Sequence, residues 1–511
     1  MDVGSLVWRA ACRFGPTRVA VEGPDGQRSF AELGDRVTRI ARGLRALGLH
    51  DGDAVLDLQG NRTTAIETDL AIRSAGLVRV ALNYRLHVDD WESIAHDAGA
   101  RALIVESRFL AATESLRNGM SHVIVVDEDA EQSLDKLLAD QPSGRLPTID
   151  MDALCGLHYS SGTTGRPKGA QRTHTNWWSS LGNMTHDVLR VTPGPGHCYV
   201  HAGPITHTSG LFVLPFLTAG ARQIVLPAWD PETFMDSVQS RGATHTALVP
   251  TMVSRLLSNP SRHRDEFSNL QMLAYAGAPM PSEQVRDAFE RITPHLVQYY
   301  GLVEAIPPVT VLDADDHRRG LAGEPELLTS AGRAALGVEI QVVDDDARPL
   351  PDGEIGEVIT RGQHVMGGYR NSGERDDLGK AVRDGWLFTG DLGRMDSSGH
   401  LWLIDRRGDM IISGGYNIYP REVEEVVSAV PGVDEVAVLG VTDRDWGQRV
   451  VALYTLRPGF QIDDDDIMSH CERSMASYKK PKQLRRVDSL PVSANGKIAK
   501  KVLREQLEHE A

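Results

Sequence analysis

The stretch Tyr159–Ala170 reads YSSGTTGRPKGA, and the rest of the chain is best interpreted around it. Its glycines let backbone N–H groups approach a ligand, its hydroxyl residues add hydrogen-bond donors, and Lys168 adds a positive charge. This combination suits a polyphosphate, and no residue of the stretch is expected to pack in a core. A solvated surface loop is the alternative. A Walker A loop is excluded, because Gly169 stands where that motif has a magnesium-binding Ser or Thr.

The composition is that of a globular protein without anionic macromolecular partners. The 511 residues suffice for about three domains, and the 41% hydrophobic and 24% charged content is ordinary. Lys and Arg total 54 against 70 Asp and Glu, which gives a net charge of -16. Such a surface repels nucleic acid and anionic membranes, so an anionic ligand must be held by local positive charge.

The cysteines and the N-terminus predict a soluble cytoplasmic protein. The four cysteines are scattered, with no C-x-x-C pair and no metal-ligand spacing, which is typical of a reducing compartment. Arg9 and Arg13 interrupt the apolar residues of the N-terminus, so it lacks the continuous apolar stretch of a signal peptide. We also expect no transmembrane segment, because no apolar run has the required length.

Alternating helical and strand-like segments predict an α/β fold. Ser29 and Glu32 are spaced as a capping box, and apolar residues then recur at helical spacing up to Gly48. Short apolar runs typical of strands follow at Ala54–Leu58, Ala102–Val105, His122–Val126, Ile224–Leu226, Thr246–Val249, Met272–Ala276 and Val297–Tyr300. Several end in polar or glycine-containing turns. Ligands collect at the carboxyl ends of such strands, so these turns are candidates for one shared cleft.

The pattern changes after Val338 to strands joined by tight turns. Residues 338–362 read as a hairpin, and Trp386–Leu392 with His400–Ile404 read as a further strand pair. The polar run Asp405–Asp409 follows and predicts a domain boundary. Beyond it, a helix begins at Pro420, and strands and a second helix are expected at Val436–Leu439, Val450–Leu456 and near Asp463–Asp466. We therefore predict a large N-terminal multi-sheet α/β domain at 1–407 and a small α+β domain at 408–511.

Six separated segments resemble the adenylate-forming superfamily of acyl-CoA synthetases, nonribosomal adenylation domains and beetle luciferases. The stretch at 159–170 is similar to the phosphate loop of that superfamily. The other five are Pro204–His207 (P-x-x-H), Tyr300–Glu304 (Y-G-x-T-E), Phe388–Asp391 (T-G-D), Asp405–Asp409 (the hinge) and Pro491–Lys497 (P-x-x-x-x-G-K). Together they span most of the chain in the expected order.

The resemblance implies a two-step reaction with ATP, Mg²⁺ and coenzyme A, in which the C-terminal domain is mobile and alternates between the steps. A carboxylate first attacks the α-phosphorus of ATP to form an acyl-adenylate, and a thiol then displaces AMP. Because a carboxylate must approach a phosphate, positive charge between these two anions is the main requirement. The resemblance assigns that role to Lys497 and assigns the metal to Glu304. Without it, both would be read as solvated surface residues.

The resemblance also implies a nucleotide site and a tunnel for the acid and the thiol. His207 would line the junction of the tunnel. Without the resemblance, His207 would be interpreted as an ordinary loop residue. Asp391 and Arg406 would hold the ribose, and Tyr300 would lie against the adenine. The implied nucleotide-binding residues are Ser160, Ser161, Gly162, Thr163, Thr164, Gly165, Lys168, Gly277, Ala278, Tyr300, Asp391 and Arg406.

The segment Ser413–Pro420, SGGYNIYP, resembles the S-G-G-x-N-I-x-P of CoA ligases more than the R-G-x-R-I of peptide-synthetase adenylation domains. Gly414 and Gly415 would leave room for the pantetheine arm. Trp446 and the cluster of Lys479, Lys480 and Lys482 would meet the adenine and phosphates of CoA, although a cluster of lysines is usually a solvated face.

Two residues depart from the family pattern. Val303 replaces the threonine of Y-G-x-T-E and removes a hydroxyl near the α-phosphate. A hydrogen bond to a charged group contributes about 1.5–3 kcal/mol, so its loss would slow adenylation roughly ten- to a hundredfold or somewhat more. Gly408 replaces the usual Asp or Lys of the hinge, where glycine would ease rotation.

The resemblance therefore implies an acyl-CoA ligase for a hydrophobic or aromatic carboxylic acid. The acid pocket is expected near His207–Gly210, Val249–Thr251, Tyr275–Gly277 and Tyr299–Val303. Two alternatives stay open: loading of a carrier-protein phosphopantetheine, and impaired adenylation with mainly the thioester-forming half-reaction. The expected partners are the acid, CoA, an acyl carrier protein under the first alternative, and a second copy of the chain in a homodimer.

Overall fold

The computed structural model of the chain describes residues 1–127, 130, 132–160, 168–259, 262–371, 381–406, 409–413, 416–444, 446–457, 459–493 and 498–509. In these ranges the strands form four sheets. We number the sheets by the position of their main strands along the chain. The first two sheets and the helices around them form the bulk of the molecule, and the fourth belongs to its C-terminal part.

The first sheet carries the stretch Tyr159–Ala170 at one edge. Its strands are β3 (Ala54–Leu58), β4 (Val78–Ala81), β5 (Ala102–Val105), β6 (His122–Val125), β7 (Leu154–Ser160) and β8 (Lys168–Thr173). They are ordered β6-β5-β3-β4-β7-β8, and every pair is parallel except β7 with β8. β3 and β5 have the predicted bounds, because apolar runs that are buried on both faces stand out clearly in a sequence.

The prediction that Tyr159–Ala170 contains no residue able to pack in a core is wrong at both ends of the stretch. Residues 159–160 end β7 and residues 168–170 begin β8. Ala170 is fully buried. Glycine and proline are depleted in strands, so the composition of the stretch concealed two strand ends that are stabilised by pairing.

The second sheet is the largest of the four and holds four of the predicted strands. Its strands are β1 (Val19–Gly23), β2 (Gly26–Ser29), β9 (Cys198–His201), β10 (Arg222–Val225), β11 (His245–Leu248), β12 (Met272–Tyr275), β13 (Leu296–Leu302), β14 (Ala305–Leu312) and β15 (Arg333–Ala334). They are ordered β15-β14-β13-β12-β11-β9-β10-β1-β2. The predicted strands β10 to β13 are confirmed, with bounds shifted by one or two residues.

Both faces of the second sheet are buried, as expected for a mainly parallel sheet. Alternate residues of β12 show this directly. Leu273 and Tyr275 pack in one apolar cluster, whereas Ala274 and Ala276 pack in another on the opposite face. Successive side chains at the carboxyl end of β12 therefore point alternately to the two faces of the sheet.

The third sheet leads to the predicted domain boundary. Its strands are β16 (Glu339–Val343), β17 (Gly356–Arg361), β18 (Val382–Arg383), β19 (Trp386–Met395) and β20 (Leu401–Arg406). β16 and β17 form the predicted antiparallel hairpin, and β19 pairs with β17, β18 and β20. The predicted polar break at Asp405–Asp409 begins later than expected, since Asp405 and Arg406 are the last residues of β20 and pair with β19.

The fourth sheet organises the C-terminal part. Its strands are β21 (Ile411–Ser413), β22 (Tyr416–Ile418), β23 (Val433–Asp443), β24 (Gly447–Leu456) and β25 (Gln483–Arg486). Apolar residues of β23 and β24 enter two clusters, one on each face of this sheet. This part of the chain has its own hydrophobic core, as a separate domain requires.

Helices cover the faces of the sheets. They are α1 (Val3–Phe14), α2 (Phe30–Ala46), α3 (Thr63–Ser74), α4 (Val88–Ala98), α5 (Glu114–Asn118), α6 (Leu134–Ala139), α7 (His174–Asn183), α8 (Val213–Ala219), α9 (Pro231–Gln239), α10 (Pro250–Leu257), α11 (Ser282–Arg291), α12 (Ala314–Ala322), α13 (Pro420–Ser428), α14 (Asp464–Ser474) and α15 (Lys500–His509). The predicted capping box of Ser29 and Glu32 is present at the start of α2. Within the described ranges, no helix is both long and apolar enough to cross a membrane.

Candidate active site

Glu304 lies in the tight turn between β13 and β14, and two neighbouring segments hold that turn. The Tyr369 hydroxyl donates a hydrogen bond to Oε1 of Glu304 (2.7 Å), and the Met366 N–H donates to the backbone carbonyl of Glu304 (2.9 Å). On the other side, Nη2 of Arg172 donates to the carbonyl of Val303 (2.7 Å). The carboxylate of Glu304 is thereby fixed close to β8, the strand that follows residues 161–167.

A short segment around Tyr369 connects this turn to β8. Tyr369 forms an isolated antiparallel bridge with Ala170, and the Arg370 N–H donates to the carbonyl of Gly169 (2.8 Å). Nζ of Lys168 lies 5.9 Å from the centre of the Tyr369 ring. The side chain of Tyr369 therefore stands between the predicted phosphate lysine and the predicted metal ligand.

Asp391 is held by the two residues that the sequence predicts beside it. Tyr300 donates its hydroxyl to Oδ2 of Asp391 (2.5 Å), and Nε of Arg406 donates to Oδ1 (3.2 Å). Asp391 and Arg406 are direct partners in the pair of β19 and β20. Burial, and then the charge of Asp391, hold the pKa of Tyr300 well above its ordinary value, so the phenol remains a donor.

The clusters around Glu304 and Asp391 belong to one site. Burial opposes the charged form of Arg406, but Asp391 first and Glu304 next raise the pKa of its guanidinium. Both carboxylates therefore lie within electrostatic reach of Arg406. The structure brings Glu304, Tyr300, Asp391 and Arg406 together where the second and third sheets meet beside the edge of the first.

The turn after β12 has the geometry expected of a ligand-facing loop, but one residue of the predicted acid pocket points elsewhere. Gly277 has a φ of 90°, which favours glycine, and Ala278 follows it. Tyr275, by contrast, is buried on the other face of the sheet, where its hydroxyl lies 2.8 Å from Nε2 of His317. The side chain of Tyr275 therefore points to the opposite face from Ala276, and an acid pocket near Tyr275–Gly277 remains a prediction.

His207 is anchored in a loop between the first and second sheets. Its Nε2 lies 3.1 Å from Nδ2 of Asn83, and its N–H donates to the carbonyl of Pro204 (3.1 Å). An amide nitrogen is a donor, so the contact with Asn83 favours a neutral imidazole that accepts at Nε2. Burial first, and then the charge of Arg172, hold the pKa of His158 well below its ordinary value, with smaller effects from Arg79, Arg73 and His207.

Several predicted site residues lie outside the described ranges. They are Ser161, Gly162, Thr163, Thr164, Gly165, Gly414, Gly415 and Lys497. Ser160 is described as the last residue of β7. The roles of these residues remain predictions.

On the predicted CoA surface, one lysine of the predicted cluster lies beside Trp446. Trp446 is 45% exposed, and Nζ of Lys482 lies 4.4 Å from the centre of its ring. Lys480 instead pairs with Glu472 (2.6 Å). Lys480 therefore remains a predicted CoA contact, whereas Lys482 is the lysine that contacts the exposed aromatic ring.

Arg172 and Tyr369 were missed by sequence reasoning. Arg172 lies 131 residues from the Val303 carbonyl that it contacts, and Tyr369 lies 65 residues from Glu304. The alternation along β8 was the one available signal, since an arginine two residues after the buried Ala170 shares its face of the strand.

The residues present fit a bound magnesium ion in one specific way. Among the described residues, no group of three or more His, Cys, Asp and Glu could hold a metal. Mg²⁺ keeps several waters and usually takes only one or two protein carboxylates together with substrate phosphates. Glu304, fixed beside the strand that follows the predicted phosphate loop, can supply such a carboxylate.

The fold and this site define an adenylate-forming enzyme. The family model described as AMP-binding enzyme matches residues 7–370, and that of the AMP-binding enzyme C-terminal domain matches residues 422–497. The chain belongs to the AMP-binding enzyme family, and within it to the acyl-CoA ligases, as its curated relatives establish. The prediction of a large N-terminal multi-sheet domain with a smaller C-terminal domain is confirmed.

Two relatives and one solved structure illustrate the similarity. The feruloyl-CoA synthase of an Amycolatopsis species is 35% identical over 502 residues, which cover 98% of this chain and 97% of that protein. The medium/long-chain-fatty-acid–CoA ligase FadD8 of Mycobacterium tuberculosis is 32% identical over 510 residues, covering 94% and 86% respectively. The crystal structure of ATP-bound MatB from Rhodopseudomonas palustris is 31% identical, covers 99% of both chains and has a TM-score of 0.88.

Proposed function

We propose that this ligase activates a hydrophobic or aromatic carboxylic acid with ATP and Mg²⁺ and transfers the acyl group to CoA. The observation that carries the proposal is the convergence of Glu304, Tyr300, Asp391 and Arg406 beside β8. Feruloyl-CoA synthase is named for an aromatic acid and FadD8 for fatty acids, which supports an apolar acid here.

In this proposal each residue of the nucleotide site has a distinct role, assigned from the described contacts where they exist and otherwise from the family motifs. Asp391, held by Tyr300 and Arg406, accepts hydrogen bonds from the ribose hydroxyls. Lys168 and residues 160–165 bind the phosphates, with Gly277 and Ala278 offering backbone atoms nearby. Glu304 is the protein ligand of Mg²⁺, which when bound neutralises part of the phosphate charge.

The acyl-adenylate forms when a carboxylate oxygen of the acid bonds to the α-phosphorus and pyrophosphate leaves with the electrons of the broken P–O bond. Lys497 supplies positive charge where the carboxylate meets the phosphate. In the second step the CoA thiolate attacks the acyl carbon and AMP leaves. His207 lines this junction, and Gly414, Gly415 and the Trp446 surface accommodate CoA.

An apolar cluster next to the predicted tunnel supports an apolar acid. Leu211 and Phe212 follow His207 closely, and they pack with Ala276 at the end of β12 and with Tyr299 on β13. The rings of Phe212 and Tyr299 are 6.3 Å apart in an edge-on arrangement. An acid bound beside this packed cluster would meet mainly apolar side chains, and an unpaired polar tail would be desolvated there at a cost.

We also propose the domain division at 407/408, with residues 408–511 turning between the two half-reactions. Arg421, the second residue of α13, donates from its backbone N–H to Oδ2 of Asp405 (3.1 Å) and from Nη1 to the carbonyl of Leu403 (2.6 Å). These contacts join the two sides of the proposed boundary. A cytoplasmic location and a homodimer remain predictions.

Pyrophosphate exchange with a panel of acids tests the proposal. The panel contains ferulate, benzoate and decanoate, with malonate as a polar comparison, and products are then assayed with CoA and with a phosphopantetheinylated carrier protein. We expect exchange with at least one apolar acid and transfer to CoA. Transfer to the carrier protein alone would favour the carrier-loading alternative. Thioester formation from a supplied acyl-adenylate without exchange for any acid would contradict the two-step reaction, and it would favour the alternative that Val303 suggests.

A further inference from the structure

Arg172 is a buried cation whose guanidinium lies 5.9 Å from the centre of the Trp177 ring but has no ion-pair partner among the described residues. It is 5% exposed, and Nη2 donates to the Val303 carbonyl, whereas Nε has no hydrogen-bond partner among the described residues. Burial lowers the pKa of its guanidinium to about 10, which still leaves it charged at neutral pH. A buried charge is costly unless it is paired, so this arginine needs a structural or functional explanation.

Other buried arginines nearby have close carboxylate partners. Arg73 pairs with Asp69, and Nη2 of Arg79 lies 2.8 Å from Oδ2 of Asp57. For Arg172, the charge that most favours the ionised guanidinium is that of Glu304. Arg172 therefore differs from these two neighbours in being directed at the turn that carries the predicted metal ligand.

Arg172 also connects that turn to the predicted phosphate loop. It lies on β8, four residues after Lys168, and its hydrogen bond to Val303 spans from the first sheet to the second. Tyr369, which holds the Glu304 carboxylate, is bridged to Ala170 on the same strand. Two links to β8 therefore fix the position of Glu304. Arg172 holds the main chain at Val303, and Tyr369, which is bridged to Ala170, holds the Glu304 carboxylate.

We propose that Arg172 is a positioning residue for adenylation. It fixes the Val303–Glu304 turn and so keeps the Glu304 carboxylate in place relative to the phosphates that bind next to β8. This inference rests on the proposed role of Glu304. Arg172 acts through the turn and through its charge, without contacting ATP. Its loss should therefore weaken the step that uses Mg²⁺ and ATP and spare the step that uses a preformed acyl-adenylate.

Two substitutions at this position and one matched control test the inference. Arg172→Met keeps much of the side-chain length and removes the charge and the donors, and Arg172→Lys keeps the charge. Arg73→Met is the control, because Arg73 is a buried arginine whose partner is Asp69. Calorimetry measures the dissociation constant of ATP with and without Mg²⁺, and each half-reaction is assayed separately.

We expect Arg172→Met to weaken ATP binding in the presence of Mg²⁺ by roughly tenfold, the scale of one charge-assisted hydrogen bond. Pyrophosphate exchange should fall by at least a similar factor, and thioester formation from acyl-adenylate should be nearly unchanged. Arg172→Lys should recover part of both losses. Arg73→Met should lower thermal stability without this separation of the half-reactions.

Two outcomes would overturn the inference. One is an unchanged dissociation constant for ATP with Mg²⁺ in both Arg172 variants. The other is an equal loss of both half-reactions in Arg172→Met and Arg73→Met, which would make Arg172 purely structural. If Arg172→Met does not fold, Arg172→Lys carries the same comparison. Glu304→Gln separates this inference from the proposed function. If Glu304→Gln has no effect, the proposed role of Glu304 is contradicted. If Glu304→Gln has a strong effect and the Arg172 variants have none, only the positioning role of Arg172 is contradicted.

Discussion

Tyr300 donates its hydroxyl to Asp391 across the boundary between two sheets, since Tyr300 lies on β13 and Asp391 on β19. With Arg406 on the other oxygen, the carboxylate is held in one orientation by groups of the protein itself. Asp391 is only 8% exposed, so its remaining hydrogen-bonding capacity faces a confined space. Such preorganisation reduces the cost of ordering a binding group when its ligand arrives.

Asp391→Asn should weaken ATP binding roughly ten- to a hundredfold, because hydrogen bonds to a charged acceptor contribute about 1.5–3 kcal/mol. Calorimetric titration with ATP measures the change. Tyr300→Phe should have a smaller effect in the same direction, since Arg406 still orients Asp391. Asp384→Asn in the exposed turn before β19 is the control and should bind ATP normally. Equal affinities for the Asp391→Asn variant and the unmodified protein would rule out a ribose-binding role.

Lys497→Ala should reduce adenylation far more than thioester formation, because only the first step brings a carboxylate to a phosphate. Pyrophosphate exchange reports the first step, and CoA-ester formation from a supplied acyl-adenylate reports the second. Lys501, whose side chain is 72% exposed, provides a control in Lys501→Ala, which should affect neither step. A Lys497→Ala variant that loses both steps equally would contradict the assigned role.

The elements that the sequence predicted well are those in which local pattern and burial agree. The capping box of Ser29 and Glu32 gave the start of α2, and the apolar run Ala54–Leu58 gave β3 with its bounds. β23 extends beyond the predicted Val436–Leu439 because residues on both sides of that run, from Val433 to Asp443, pair with β24, and such pairing depends on the partner strand.

The site divides in the same way. Motif resemblance selected Glu304, Tyr300, Asp391 and Arg406, and the structure brings these four together. The motif resemblance did not indicate Arg172 or Tyr369, which hold the Glu304 turn, because both contacts join segments that are distant in the sequence. Contacts of this kind depend on how sheets meet, which no local periodicity encodes.

Val303→Thr should raise the rate of pyrophosphate exchange, by up to roughly tenfold if the new hydroxyl stabilises charge on the phosphate. Val303 packs at the edge of a cluster with Ala170 and Ala305, so the substitution exchanges one partly buried methyl group for a hydroxyl of similar size. Its backbone carbonyl should keep the hydrogen bond from Arg172.

Val303→Ala is the matched control for this prediction. It removes apolar contacts at the same position without adding a donor, so it should lower stability and leave exchange unchanged or slower. Faster exchange in both variants would mean that the size of the side chain, and not a missing hydroxyl, limits the reaction. Exchange in Val303→Thr no faster than in the unmodified enzyme would remove Val303 as the cause of weak adenylation.

Stability should fall as the pH decreases from about 7 towards 5, because several buried histidines are neutral in the folded protein. Burial lowers the pKa of His201 to about 4, and the same cause lowers those of His174, His245, His317 and His364 to about 4. In the unfolded chain the ordinary pKa is about 6.5, so unfolding takes up protons in this range. Their contribution to stability is therefore complete above about pH 6.5 and is lost as the pH falls through about 4.

The midpoint of the first thermal unfolding transition, measured between pH 7.5 and 5, checks this sign. Each neutral buried histidine should contribute a loss on the order of 2 kcal/mol over that range. His201 is fully buried between Ser209 and Gln223, so His201→Gln should be less stable at pH 7.5 yet lose less stability on acidification. A midpoint that rises on acidification, or an unchanged pH dependence in His201→Gln, would show that His201 is already protonated in the folded state.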